Sequence, residues 1–120
     1  MVETEPELLI SMSDKRKYKV ITLKNSLQAL LIHDPETDKS AASLDVNVGC
    51  ALDPKPLFGT AHFLEHMLFM GTEKYPNEED YSTYIKDKGG MDNAYTGLTN
   101  TNYHFNCSNE GFEGALDRFS

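Results

Sequence analysis

The chain has 120 residues, with 11 basic against 19 acidic side chains for a formal charge of −8, and 39% of its residues are hydrophobic. That length suffices for one small domain with its own core. The acidic balance argues against nucleic acid or an anionic membrane surface as partner, because both attract basic patches.

The N-terminus, Met1-Val2-Glu3-Thr4-Glu5-Pro6, has no basic region, and Leu8-Leu9-Ile10 is too short for the apolar part of a signal peptide. No stretch approaches a membrane span, so a cytoplasmic protein with no membrane partner is expected. The Asn106-Cys107-Ser108 sequon would then be idle. Residues 1–16 are polar, charged and without period, which reads as a disordered or loosely attached leader; the domain proper is placed at residues 17–120.

Residues 18–23 and 27–32 are apolar runs separated by Lys24-Asn25-Ser26, the spacing of a hairpin. His33 follows the second run beside a loop and is expected to be solvated. A third strand is expected over residues 41–50, where Ala42, Leu44, Val46 and Val48 alternate with Ser43, Asp45 and Asn47. Cys50 and Cys107 lie outside any CxxC or Cys/His cluster, in strand-like apolar surroundings, and both are expected as reduced core thiols.

Asp53-Pro54-Lys55-Pro56 reads as an extended loop, since each proline restricts the residue before it. It leads into an apolar helix over residues 59–71, bounded by Gly59 and Gly71 and carrying His62, Glu65 and His66. Histidines at i and i+4 project from one helical face about one turn apart. Taken singly, either reads as a packed core residue. As a triplet inside an apolar segment, where an idle polar group would be costly, they read as a metal site. The order His-x-x-Glu-His is the inverted zincin motif, in which both histidines bind zinc and the glutamate activates water.

Asn77, with Asp80 three residues on, is a candidate N-cap for a second helix running to about Lys88, with Tyr81, Tyr84 and Ile85 as its packing stripe. Gly89-Gly90 would end it through a left-handed cap. Two more strands are expected at residues 91–96 and 101–107; in the second, Tyr103, Phe105 and Cys107 share one face and His104 takes the other, at least partly exposed and not a ligand. Asn109 would cap a last helix over residues 110–119.

Several of these segments together resemble the start of the first domain of the pitrilysin (insulinase) family of zinc metallopeptidases. They are Ala61-His62-Phe63-Leu64-Glu65-His66-Met67-Leu68-Phe69-Met70-Gly71-Thr72, Lys74-Tyr75-Pro76, Asn93-Ala94-Tyr95-Thr96, Thr101-Asn102-Tyr103 and Glu113-Gly114-Ala115-Leu116-Asp117-Arg118-Phe119. The resemblance spans about residues 17–120. It implies an α+β fold, a mixed β-sheet with helices packed on it, here as an incomplete first domain.

It implies one zinc ion held by His62 and His66, with Glu65 as the general base that takes a proton from the water attacking a scissile carbonyl. It implies that Asn93, Ala94 and Tyr95 lie on an edge strand to which a peptide substrate adds as a further strand, Tyr95 lining a side-chain pocket. The family's third zinc ligand, a glutamate, falls beyond residue 120; Glu73, Glu110 and Glu113 do not match its position. The expected activity is metalloendopeptidase action on peptides or unfolded polypeptides, together with the remaining domains of a full-length peptidase. A chain of these 120 residues alone is expected to bind zinc weakly, to hydrolyse little or nothing and to expose apolar surface. Two other readings stand beside this one: a non-catalytic product that binds peptide or a partner without hydrolysis, and a core segment whose histidines merely pack.

Overall fold

A computed structural model describes residues 8–120; residues 1–7 of the expected leader lie outside the described residues. The chain divides into two compact units, residues 1–37 and 38–120. In the first, residues 8–16 form no helix or strand. Asp14 nevertheless accepts hydrogen bonds from the Arg16 guanidinium at 2.9 and 2.7 Å and from the Tyr18 hydroxyl at 2.7 Å. These bonds, the Arg16 one foremost, hold its carboxyl well below the usual carboxylate range.

The expected hairpin follows. Strand β1 (Lys17–Thr22) pairs antiparallel with β2 (Gln28–His33), Lys17 opposite His33 and Thr22 opposite Gln28. The reversal runs through Ser26 at φ 68°, in the left-handed region, and Asn25 supports it by accepting from the Leu27 N–H. His33 is exposed, as expected.

The second unit carries β3 (Lys39–Val46), helix α1 (Thr60–Met67), helix α2 (Asp80–Asp87), β4 (Met91–Thr96), β5 (Thr101–Ser108) and helix α3 (Phe112–Phe119). Its sheet has the order β3-β5-β4, so β5 is central and β4 an edge. Every pairing is antiparallel: Val46 faces Thr101 across β3 and β5, and Thr96 faces Thr101 across β4 and β5. This is the α+β class expected, helices packed on a sheet; the parallel pairs of a mixed sheet are not found among the described residues.

The core lies where α2 and α3 cover β5. Ile85, Phe105, Cys107 and Ala115 are buried, ringed by Tyr81, Tyr84, Phe112 and Phe119. Phe105 is the hub, edge-on to Phe119 at 5.2 Å and to Tyr81 at 6.4 Å. Burial pushes the Cys107 thiol up, as for an inert core cysteine.

Cys50 departs from expectation and is exposed. The strand that would have buried it ends at Val46, and Cys50–Leu52 form a short 3-10 turn instead. That turn is stitched to the β4–β5 connection: the Cys50 and Ala51 N–H groups donate to the carbonyls of Gly97 and Leu98 at 3.0 and 2.9 Å. A side chain at Gly49 would meet the Gly97 carbonyl oxygen at 2.4 Å, so this approach requires glycine.

The helices are shorter than their sequence pattern suggests. Helix α1 stops at Met67, with Gly71 at φ 90° three residues past its cap. Asn77 accepts from the Glu79 N–H at 3.1 Å, closing a turn ahead of α2 and not α2 itself. Gly89 takes φ 66° and Gly90 returns its N–H to the Ile85 carbonyl, the left-handed cap expected. A 3-10 turn, Asn109–Gly111, delays α3 to Phe112.

The segment after α1 is pinned to α3. Lys74 donates to both oxygens of Asp117 at 2.8 and 2.7 Å, and the Tyr75 hydroxyl donates to Asp117 as well. The Lys74 ammonium, foremost, holds the Asp117 carboxyl below its ordinary value. Arg118 stacks between the rings of Tyr75 and Tyr84, 4.2 and 4.0 Å from their centroids, while pairing with Asp80 at 2.6 Å. No helix among the described residues is long and apolar enough to cross a membrane.

Candidate metal centre

Helix α1 begins where the Asp53 carboxylate accepts from the Gly59 and Ala61 N–H groups at 2.7 and 2.9 Å. An anion on the free amides at a helix start satisfies donors that have no partner within the helix. Gly59 itself sits at φ 89°, so the loop turns sharply into the helix and Asp53, six residues back, reaches its amides. The sequence pattern did not reveal this role. A local capping motif places the acceptor at the boundary residue, whereas Asp53 acts across a proline-bearing loop.

Within the helix the four-residue spacing places the two histidines together. The Nε2 atoms of His62 and His66 are 3.1 Å apart and their ring centroids 4.8 Å. Two nitrogens each about 2.0–2.1 Å from one tetrahedral zinc ion would stand roughly 3.3 Å apart. The observed pair is close to that separation, and both rings are exposed and open to an ion.

Glu65 is the opposite case. It is 6% exposed, the one charged side chain buried among the described residues, and a carboxylate oxygen lies within 4.8 Å of both histidine nitrogens. Its Oε2 accepts a hydrogen bond from Thr96 Oγ1 at 2.5 Å. Nearby, Tyr103 on β5 has its phenol pushed up by burial first and by the Glu65 charge second.

Among the described residues, His62, Glu65 and His66 are the only cluster of three His, Cys, Asp or Glu side chains able to hold a metal ion. The donor set fits zinc chemistry: two imidazoles for the ion and an adjacent carboxylate. Glu73, Glu110 and Glu113 are exposed and outside the cluster. His104 is half-buried, its Nδ1 3.0 Å from Asn102 Oδ1, and takes no part.

The residues expected to receive a peptide strand lie on β4. Asn93 and Tyr95 are exposed, Ala94 is half-buried, and the alternation continues to Asp92 and Thr96 on the half-buried side. Asp92 accepts from Ser82 on α2, and Thr96 reaches Glu65 on α1. One face of this edge strand therefore contacts the helices and the other is open.

The insulinase family (peptidase family M16) matches residues 28–120. Insulin-degrading enzyme-like 2 of Arabidopsis thaliana is 58% identical over 114 residues, 95% of this chain and 12% of that protein. Insulin-degrading enzyme of Homo sapiens is 51% identical over 110 residues, 92% of this chain and 11% of that protein. The crystal structure of pitrilysin superposes with a TM-score of 0.88 at 39% identity, over 99% of this chain and 12% of that one. The chain thus spans about one-eighth of the length of the relatives it matches.

Proposed function

Because the chain belongs to the insulinase family of peptidases, peptidase family M16, we propose that residues 17–120 form the part of a zinc-dependent metalloendopeptidase that carries its base and two of its metal ligands. The observation that carries this reading is the convergence of the His62 and His66 nitrogens at 3.1 Å beside a carboxylate that is otherwise buried. His62 and His66 would hold the ion. When bound, zinc supplies Lewis acidity for a scissile carbonyl and acidifies water at the site. Glu65 takes the proton from the attacking water and returns it to the leaving amine. The third protein ligand is taken to come from polypeptide other than residues 1–120.

Substrates are proposed to be peptides or unfolded polypeptides, laid as a further strand along the free edge of β4 past Asn93, Ala94 and Tyr95. The edge position of β4 and the exposure of Asn93 and Tyr95 support this. The remaining domains of a longer peptidase would be the other partner. A cytoplasmic location belongs to the same proposal, supported by two cysteines that are both free thiols.

The test is the polypeptide bearing this sequence, purified at its natural length and assayed on a quenched fluorescent peptide. Glu65→Gln should lower kcat by about 10²- to 10⁴-fold with bound zinc retained; wild-type turnover in that variant would remove Glu65 as base. A second reading, peptide binding without hydrolysis, is favoured by the open edge of β4. It predicts saturable peptide binding with no product even in the zinc-loaded wild-type protein.

A further inference from the structure

The base is held by a residue on the strand proposed to receive the substrate. Glu65 is buried, and among the described residues Thr96 is the one side chain that donates a hydrogen bond to it. Thr96 is the last residue of β4, one position beyond Tyr95. A carboxylate has two oxygens and about four lone-pair sites. Tying Oε2 to a hydroxyl fixes the rotation of the group and leaves Oε1 as the oxygen free to take up a proton.

The hydroxyl itself is mounted on rigid backbone. Thr96 pairs with Thr101 across the sheet, and Thr101, 5% exposed, anchors its own hydroxyl on the Val48 carbonyl at 2.8 Å. The turn beyond is closed by the Gly97 N–H on the Asn100 carbonyl at 2.7 Å and clamped by the Cys50 and Ala51 amides. The loop that clamps it runs directly on to Asp53, the acceptor at the start of α1. Strand end and helix start are thus fixed by one stretch of chain.

We propose that Thr96 is a positioning residue: its hydroxyl orients the Glu65 carboxylate toward the histidine pair and couples the base to the strand that would bind the peptide. This rests on the reading of Glu65 as general base. Among the described residues Thr96 makes no hydrogen bond to His62 or His66, and it lies on the half-buried face of β4, opposite Asn93 and Tyr95, so its loss should appear in kcat and not in zinc content. Thr96→Val preserves the shape and removes the donor; Thr96→Ser preserves the donor and removes a methyl group.

In the natural-length polypeptide, Thr96→Val is expected to lower kcat about 10- to 100-fold, as losses behind a metal-site residue do, with KM and bound zinc unchanged, and Thr96→Ser to restore most of the rate. Thr96→Ala covers the case in which Thr96→Val does not fold. Wild-type turnover in a folded Thr96→Val or Thr96→Ala protein overturns the proposal, as does a zinc-loaded Thr96→Ser protein as slow as the valine variant. Glu65→Gln separates the two levels: if that variant is inactive while Thr96→Val is fully active, the base stands and only its positioning by Thr96 falls. If Glu65→Gln is itself active, the reading beneath both has failed.

Discussion

Helices α1 and α2 are the same length, eight residues, and bury opposite kinds of side chain. Helix α2, Asp80–Asp87, buries Ile85 and nothing charged; α1, Thr60–Met67, buries Glu65 alone while Phe63 and Leu64 stay more than half exposed. A buried aliphatic needs only close neighbours, which Phe105 and Ala115 provide. A buried carboxylate is unfavourable unless bonded, and α1 meets that condition with a single hydroxyl from β4. One helix is placed by its contribution to stability, the other by what it holds in position.

Substitution can sharpen that contrast, the largest expected effect first. Glu65→Gln should lower kcat by about 10²- to 10⁴-fold yet leave thermal stability near wild type, because the amide oxygen still accepts from Thr96 and a buried charge is removed. Ile85→Ala should do the reverse. It opens a cavity beneath Phe105 and should lower unfolding free energy by about 2–5 kcal/mol, read by thermal or urea unfolding, with the His62–His66 pair still able to take up zinc in any molecule that remains folded. If Ile85→Ala impaired zinc uptake at temperatures well below its unfolding midpoint, the core under α2 and the histidine pair on α1 would be energetically coupled.

The smallest effect is expected at Asp117, exposed and paired with Lys74. Its carboxyl is lowered in the fold, so it contributes stability above the ordinary aspartate value and loses that contribution as the pH falls through its depressed value. Wild type should therefore lose stability relative to Asp117→Asn below about pH 4. Equal acid sensitivity in the two proteins would show that the Lys74 pair carries no net stabilisation, as exposed pairs often do not.

Periodic features were legible from sequence. The hairpin around Ser26, the shared face of Phe105 and Cys107 on β5, the Gly89 cap and the Tyr81-Tyr84-Ile85 stripe rest on neighbours a few positions apart, and all are present. The β3 alternation, in contrast, holds only as far as Leu44, Val46 and Val48 being exposed. So is the histidine pair, because i and i+4 meet in any helix. Where the pattern misled, a longer-range contact decided. Cys50 reads as the end of a strand, but the Gly97 carbonyl draws its backbone into a turn. Asp53 and Thr96 were invisible as parts of the site because their partners lie across a loop or 31 residues away. Thr96 was visible only as the end of the Asn93-Ala94-Tyr95-Thr96 segment that carried the family resemblance, with no role of its own attached.

The 31-residue separation between Glu65 and Thr96 also sets the base apart from the histidine pair, whose members are four residues apart. The two imidazoles belong to a single turn and come together whenever that turn winds. The hydroxyl that steadies the carboxylate is in place only where β4 and β5 are paired and their connection is held by the chain ahead of α1. Contacts closing long loops form late. On the proposed reading, a molecule with α1 wound but β4 and β5 unpaired would bring the two imidazoles together without the hydroxyl that steadies the carboxylate, so zinc content by itself would not measure catalytic readiness.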